Sequence, residues 1–171
     1  MTHVSSFSKI RLAFGAALLG AGVLASSAAG AASAPQAPAA VGGQVAKGNN
    51  FTVNADLVGV CKAGAECKVD LKLTAGDGYH VNKEYPYKFK ANDLAGVEFT
   101  GTDASGKNVF SKAAGDFRVD AKDEHVGYMT VHFKPSKAGA VNITGTFKLS
   151  VCSAQNCQLE TSELTIPVTA S

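Results

Sequence analysis

The chain has 171 residues, 46% of them hydrophobic, with four cysteines and a formal net charge of +2. A charge this near zero, spread without a block of like sign, excludes the footprint of a nucleic-acid binder. An even number of cysteines in two close pairs fits a compartment in which disulfides persist.

Taken from the start, the chain opens with a short basic region at Lys9 and Arg11, followed by the apolar run Leu12 to Leu24. That run is shorter than the roughly 20 apolar residues needed to span a bilayer. Small residues follow, with Ala-x-Ala sites ending at Ala31 and Ala34. Residues 1–31 therefore read as a cleavable secretory signal, with no membrane insertion once it is removed. Residues 32–49 are rich in Ala, Pro and Gly and read as a flexible leader. Residues 50–171 read as one domain.

From Phe51 onward the pattern is alternation. Phe51, Val53, Ala55 and Leu57 share one face; Val69, Leu71 and Leu73 repeat it after a Cys-bounded loop. Further strands are expected at Tyr79–Lys90, Val97–Thr100, Val109–Val119, Tyr128–Lys134, Val141–Val151 and Leu159–Val168, separated by turn residues. No window has convincing helical periodicity. Short strands at this spacing predict an all-β, immunoglobulin-like antiparallel β-sandwich.

The cysteines carry the functional question. Cys61 and Cys67 bracket five residues and Cys152 and Cys157 bracket four, each pair at the tip of an expected hairpin. Two local disulfides, 61–67 and 152–157, are expected there. Parity puts Cys61 with Val53 and Leu57, and Cys67 with Val69 and Leu71, so that pair should face the core as a structural link. Cys152 shares parity with Thr144, Thr146 and Lys148, the solvent face, and Cys157 also falls outward unless a bulge intervenes near Leu159. The second pair should therefore be accessible. Such short loops stabilise by only about 2.2–2.4 kcal/mol, against about 4.6 for a Cys61–Cys152 link. Zinc is poorly supported, because the ligand spacings are loose and parity separates the pairs. No other metal and no cofactor is indicated.

Two stretches resemble a known family. Asp77-Gly78-Tyr79-His80-Val81-Asn82-Lys83 looks like its "DGY" strand opening. Phe147 to Cys157, followed by Leu164-Thr165-Ile166-Pro167-Val168, looks like its active-site hairpin with a Pro-containing last strand. The family is the amino-terminal periplasmic domain of the thiol–disulfide interchange protein DsbD and its relatives. The resemblance implies an immunoglobulin-like sandwich in the periplasm. It implies that Cys152 and Cys157 cycle between dithiol and disulfide with thioredoxin-like partners. It also implies a loop over the pair, matched here by Asp103–Phe117 with Phe110 as the shielding aromatic. The alternative is an exported binding or structural β-sandwich whose two disulfides only stabilise hairpins.

Other constellations have plain readings. Tyr85, Tyr87 and Phe89 fit a core strand with outward lysines better than a partner surface. His125 falls in a turn and His132 on a solvated strand face. Lys148 shares the face of Cys152, where a nearby cation would favour a thiolate. No nucleotide motif and no hydrolase triad stands out.

Overall fold

Alternation makes each strand bury one face, and two such faces in one chain close on each other. The computed structural model describes residues 42–171, which form eleven strands and no helix. These are β1 (Gly42–Lys47), β2 (Phe51–Leu57), β3 (Cys67–Ala75), β4 (His80–Val81), β5 (Lys88–Ala91) and β6 (Val97–Phe99). They continue as β7 (Val109–Ser111), β8 (Phe117–Val119), β9 (Val126–Pro135), β10 (Gly139–Cys152) and β11 (Cys157–Ala170).

One sheet runs β1-β2-β3-β9-β6, with β8 also on β9. The other runs β11-β10-β5-β7, with β4 also on β10. Every pairing is antiparallel. The chain changes sheet after β3, β5, β6, β7 and β9, with β2, β3, β9 and β6 in one layer and β11, β10 and β5 in the other. That is the immunoglobulin-like arrangement. The inner faces meet in one core that includes Val53, Leu71, Leu73, Phe89, Met129, Val131, Phe133, Ile143, Phe147, Leu149 and Ile166, all buried. Gly145 of β10 lies opposite Ala91 of β5. A Cβ there would lie 2.4 Å from the Lys90 carbonyl oxygen and 2.7 Å from the Phe89 ring, so only glycine fits.

Three expectations need correction. A strand lies inside the stretch read as a leader: Gly42–Lys47 is an edge strand paired with β2. Its sequence lacks alternation because an edge strand is held by backbone bonds on one side and needs little packing; its register also shifts between Gln44 and Ala46. The rest of the leader and the signal lie outside the described residues. Second, Tyr79–Lys90 is not one strand. It breaks into β4 and β5, with Pro86 in the irregular connection, where a missing N–H cannot serve a ladder. Third, Val109–Val119 divides into β7 and β8, which belong to different sheets and are joined by a turn with Gly115 at a φ of 87°.

Candidate functional site

The hairpin of β10 and β11 positions the second cysteine pair. The two strands pair residue for residue from Gly139↔Ala170 to Cys152↔Cys157 without a register shift, so no bulge forms at Leu159. The Ser153 amide donates to the Asn156 carbonyl at 2.8 Å and closes the turn. The Ser153 hydroxyl oxygen accepts from the amides of Gln155 and Asn156, each at 3.2 Å. With 153 and 156 hydrogen-bonded, 152 and 157 form the adjacent non-hydrogen-bonded pair, where cross-strand Cα atoms approach most closely. Their Cα atoms are 3.9 Å apart and their sulfurs are joined.

On the other side of β10, His80 of β4 is the register partner of Cys152. His80, Cys152 and Cys157 thus form one row across three strands, with side chains on the outer face. The row is unevenly open. Cys157 is exposed and His80 half-buried, but Cys152 is only 5% exposed. This corrects the expectation that the whole pair is accessible. Parity gave the face correctly, but that end of β10 is flanked by β4 on one side and β11 on the other, and the segment after β4 is bonded to it at Ser150. The Asn82 amide and the Tyr87 hydroxyl both donate to the Ser150 carbonyl, at 3.2 and 2.5 Å, and Asn82 Nδ2 donates to the buried Ser150 hydroxyl at 3.3 Å. The β4 end is braced further. Asn50 Nδ2 donates to Gln158 Oε1 at 2.8 Å, Gln158 Nε2 donates to the Tyr79 hydroxyl at 3.3 Å, and the Val81 amide donates to the Glu124 carbonyl at 2.9 Å.

Phe110 is not at this site. It lies fully buried in β7, opposite Phe89, which in turn lies opposite Phe147. Phe147 is five residues from Cys152, about 17 Å along the strand. The Asp103–Phe117 stretch wraps its own strand instead. The Ser111 hydroxyl donates to Asp103 Oδ2 at 2.5 Å, and the Ser111 amide donates to Asp116 Oδ2 at 2.9 Å. The Ser111 hydroxyl first, and then the Ser105 amide, which donates to Asp103 Oδ1 at 2.8 Å, hold the Asp103 carboxyl down at about 2. Burial pushes the Tyr87 phenol well above its ordinary range. Lys148 is exposed on the outer face, opposite Lys88 of β5 and two same-face positions from Cys152.

The other disulfide, Cys61–Cys67, is buried, with Cα atoms 5.1 Å apart. It closes the loop between β2 and β3, which the Ser171 and Pro135 backbones also hold. The Ser171 amide donates to the Cys61 carbonyl and the Ala63 amide to the Ser171 carbonyl, both at 2.9 Å, and the Gly64 amide donates to the Pro135 carbonyl at 2.7 Å. Cys67 starts β3 and Ala75 ends it near Asn50, so the two disulfides sit at opposite ends of the sandwich, about 27 Å apart along that strand. The four sulfurs therefore do not converge on a metal. A shallow cavity of about 540 Å³ is lined by residues that include Asp93, Leu94, Phe99 and Lys107, none of them next to a cysteine.

The sequence reading missed the place of His80. Its signal was present in the Asp77-to-Lys83 stretch, but only the three-strand register shows that β4 meets β10 at Cys152.

No protein-family model and no curated protein matches this chain. Two solved structures resemble it loosely. One is AggA, the major subunit of aggregative adherence fimbriae type I from Escherichia coli, with 10% identity and a TM-score of 0.32, covering 73% of this chain and 98% of that one. The other is a PapD-like domain of human CEP192, with 15% identity and a TM-score of 0.28, covering 74% of this chain and 89% of that one.

Proposed function

We propose that this chain is an exported binding or structural β-sandwich whose two disulfides staple opposite ends of the fold. The observation that carries this reading is burial. Both sulfurs of Cys61–Cys67 and that of Cys152 belong to residues at most 5% exposed, as inert structural cysteines are. Two disulfides in a small domain also favour an oxidising compartment outside the cytoplasm.

A second reading is supported by a different observation. The β10–β11 ladder and the Ser153 turn already fix the hairpin geometry in the folded state, and a loop this short gives a disulfide less stabilising effect than a long-range link would have. The bond also offers one exposed sulfur, Cys157. That suits a thiol–disulfide relay serving thioredoxin-like partners, as the family resemblance implies.

The reduction potentials of both pairs, measured by thiol trapping across a glutathione series, separate the two readings. Values at or below about −300 mV for both pairs mark structural staples. A value well above that for Cys152–Cys157 alone overturns the staple reading in favour of the relay.

A further inference from the structure

We infer that His80 is a proton donor that sets how readily the Cys152–Cys157 bond opens, by holding a proton beside the departing Cys152 sulfur. For its biological use this rests on the relay reading; the chemistry itself is measurable on the isolated protein.

The two ends of the bond are unequally exposed. Thiol–disulfide exchange needs an incoming thiolate in line with the two sulfurs. Cys157 is open to solvent and Cys152 is covered, so the incoming sulfur reaches Cys157. The electrons of the breaking bond then go to the Cys152 sulfur, which becomes a thiolate in a nearly closed environment. A thiolate there is costly unless a cation or proton donor meets it. Directly opposed residues on neighbouring strands have Cβ atoms about 5 Å apart, and the residue opposed to Cys152 is His80.

Other charged groups near β4 are differently engaged. Asp77 lies in the turn before β4, Lys83 pairs with Glu124 at 4.0 Å, and His125 turns its ring to the Tyr79 carbonyl. Lys148 is four residues back along β10. Histidine is the side-chain type that gains or loses a proton between about pH 5 and 8.

The balanced step with a dithiol reductant is as follows. Its thiolate bonds to Cys157 Sγ, the bond between the two protein sulfurs breaks, and Cys152 Sγ takes the electron pair together with the His80 proton. The second reductant thiolate then displaces Cys157 Sγ from the mixed disulfide. Water then supplies one proton to the Cys157 thiolate and one to the imidazole of His80, so the protein gains two electrons and two protons in all, and the reductant leaves as a cyclic disulfide.

The test is the rate of Cys152–Cys157 reduction by dithiothreitol, divided by the reductant's thiolate concentration, from pH 5 to pH 9. The expected wild-type profile falls as pH rises through the imidazole range. His80→Gln should lose about tenfold in rate at the acidic end and flatten the profile, since a poorer leaving group departs more slowly. His80→Lys should restore the fast rate without the fall. Unchanged urea midpoints show that both variants keep the fold. Should His80→Gln not fold, the reduced wild type decides: His80 followed by NMR and the Cys152 thiolate by ultraviolet absorbance should titrate as a coupled pair. A His80→Gln profile that overlays the wild type, or independent titration of the two groups, overturns the inference. A low reduction potential with an intact His80 effect sinks the relay reading alone.

Discussion

The Tyr87 hydroxyl donates a buried hydrogen bond of 2.5 Å to the carbonyl of Ser150, two residues before Cys152. The same ring stacks on Phe117 of β8, with centroids 3.7 Å apart. One side chain therefore ties the segment after β4 to the cysteine hairpin and to the opposite sheet.

Tyr87→Phe keeps the stack and removes only the hydroxyl. The Ser150 carbonyl retains its bond from the Asn82 amide, so the loss should be about 1 kcal/mol, read from the urea midpoint.

The same residue sets an alkaline limit. Burial raises the phenol's proton affinity in the folded state. Above about pH 10 the unfolded chain releases that proton while the folded chain keeps it. The contribution is therefore full below about pH 10 and declines as pH climbs beyond it. Unfolding free energy measured from pH 8 to 11 should fall less steeply in Tyr87→Phe than in the wild type.

Asp103 works in the opposite direction. Its carboxyl titrates at about 2 instead of 3.8. The folded state stays ionised where the unfolded state takes up a proton, so stability from this group is present above about pH 4 and lost as pH falls toward 2. In an NMR titration, Ser111→Ala should move the Asp103 midpoint upward, because it removes the largest cause of the shift. An unmoved midpoint would rule out the Ser111 hydroxyl as that cause.

Gly145→Ala should destabilise by about 1–3 kcal/mol, because β5 must move to admit a methyl group 2.4 Å from the Lys90 oxygen. Thermal denaturation checks it. Gly43→Ala, with nothing within 4 Å of the new carbon, is the control.

The two disulfides should open in a fixed order. Under native conditions a dithiol should reduce Cys152–Cys157 first, through exposed Cys157, while buried Cys61–Cys67 persists until the fold opens. Replacing either pair by alanines should cost about 2 kcal/mol. Mass spectrometry of alkylated samples taken over time gives the order.

The strands that build the core were legible because burial writes alternation into them. Met129, Val131 and Phe133 of β9, and Ile143, Phe147 and Leu149 of β10, are all buried as their period-two pattern requires. What failed depends on neighbours distant in sequence. Gly42–Lys47 pairs through its backbone and leaves no side-chain signature. Val109 to Val119 looks like one strand until it changes sheets. Cys152 has the outward parity of Lys148, yet it is buried where β10 is flanked by His80 of β4 and Cys157 of β11. Phe110 lies in a strand whose three residues are all buried, so alternation does not tell its face, and its pairing with Phe89 puts it in the core.

The hairpin of β10 and β11 matches fourteen residues against fourteen in a single register. A ladder this long has a characteristic error: sliding by one residue would turn Leu164, Ile166 and Val168 outward while leaving most backbone bonds intact. Cys152 and Cys157 can join only when the strands are correctly aligned. An oxidised chain that loses its fold therefore still remembers this alignment, whereas a reduced one must search for it again before strands far apart in sequence, such as β3 and β9, can close the first sheet.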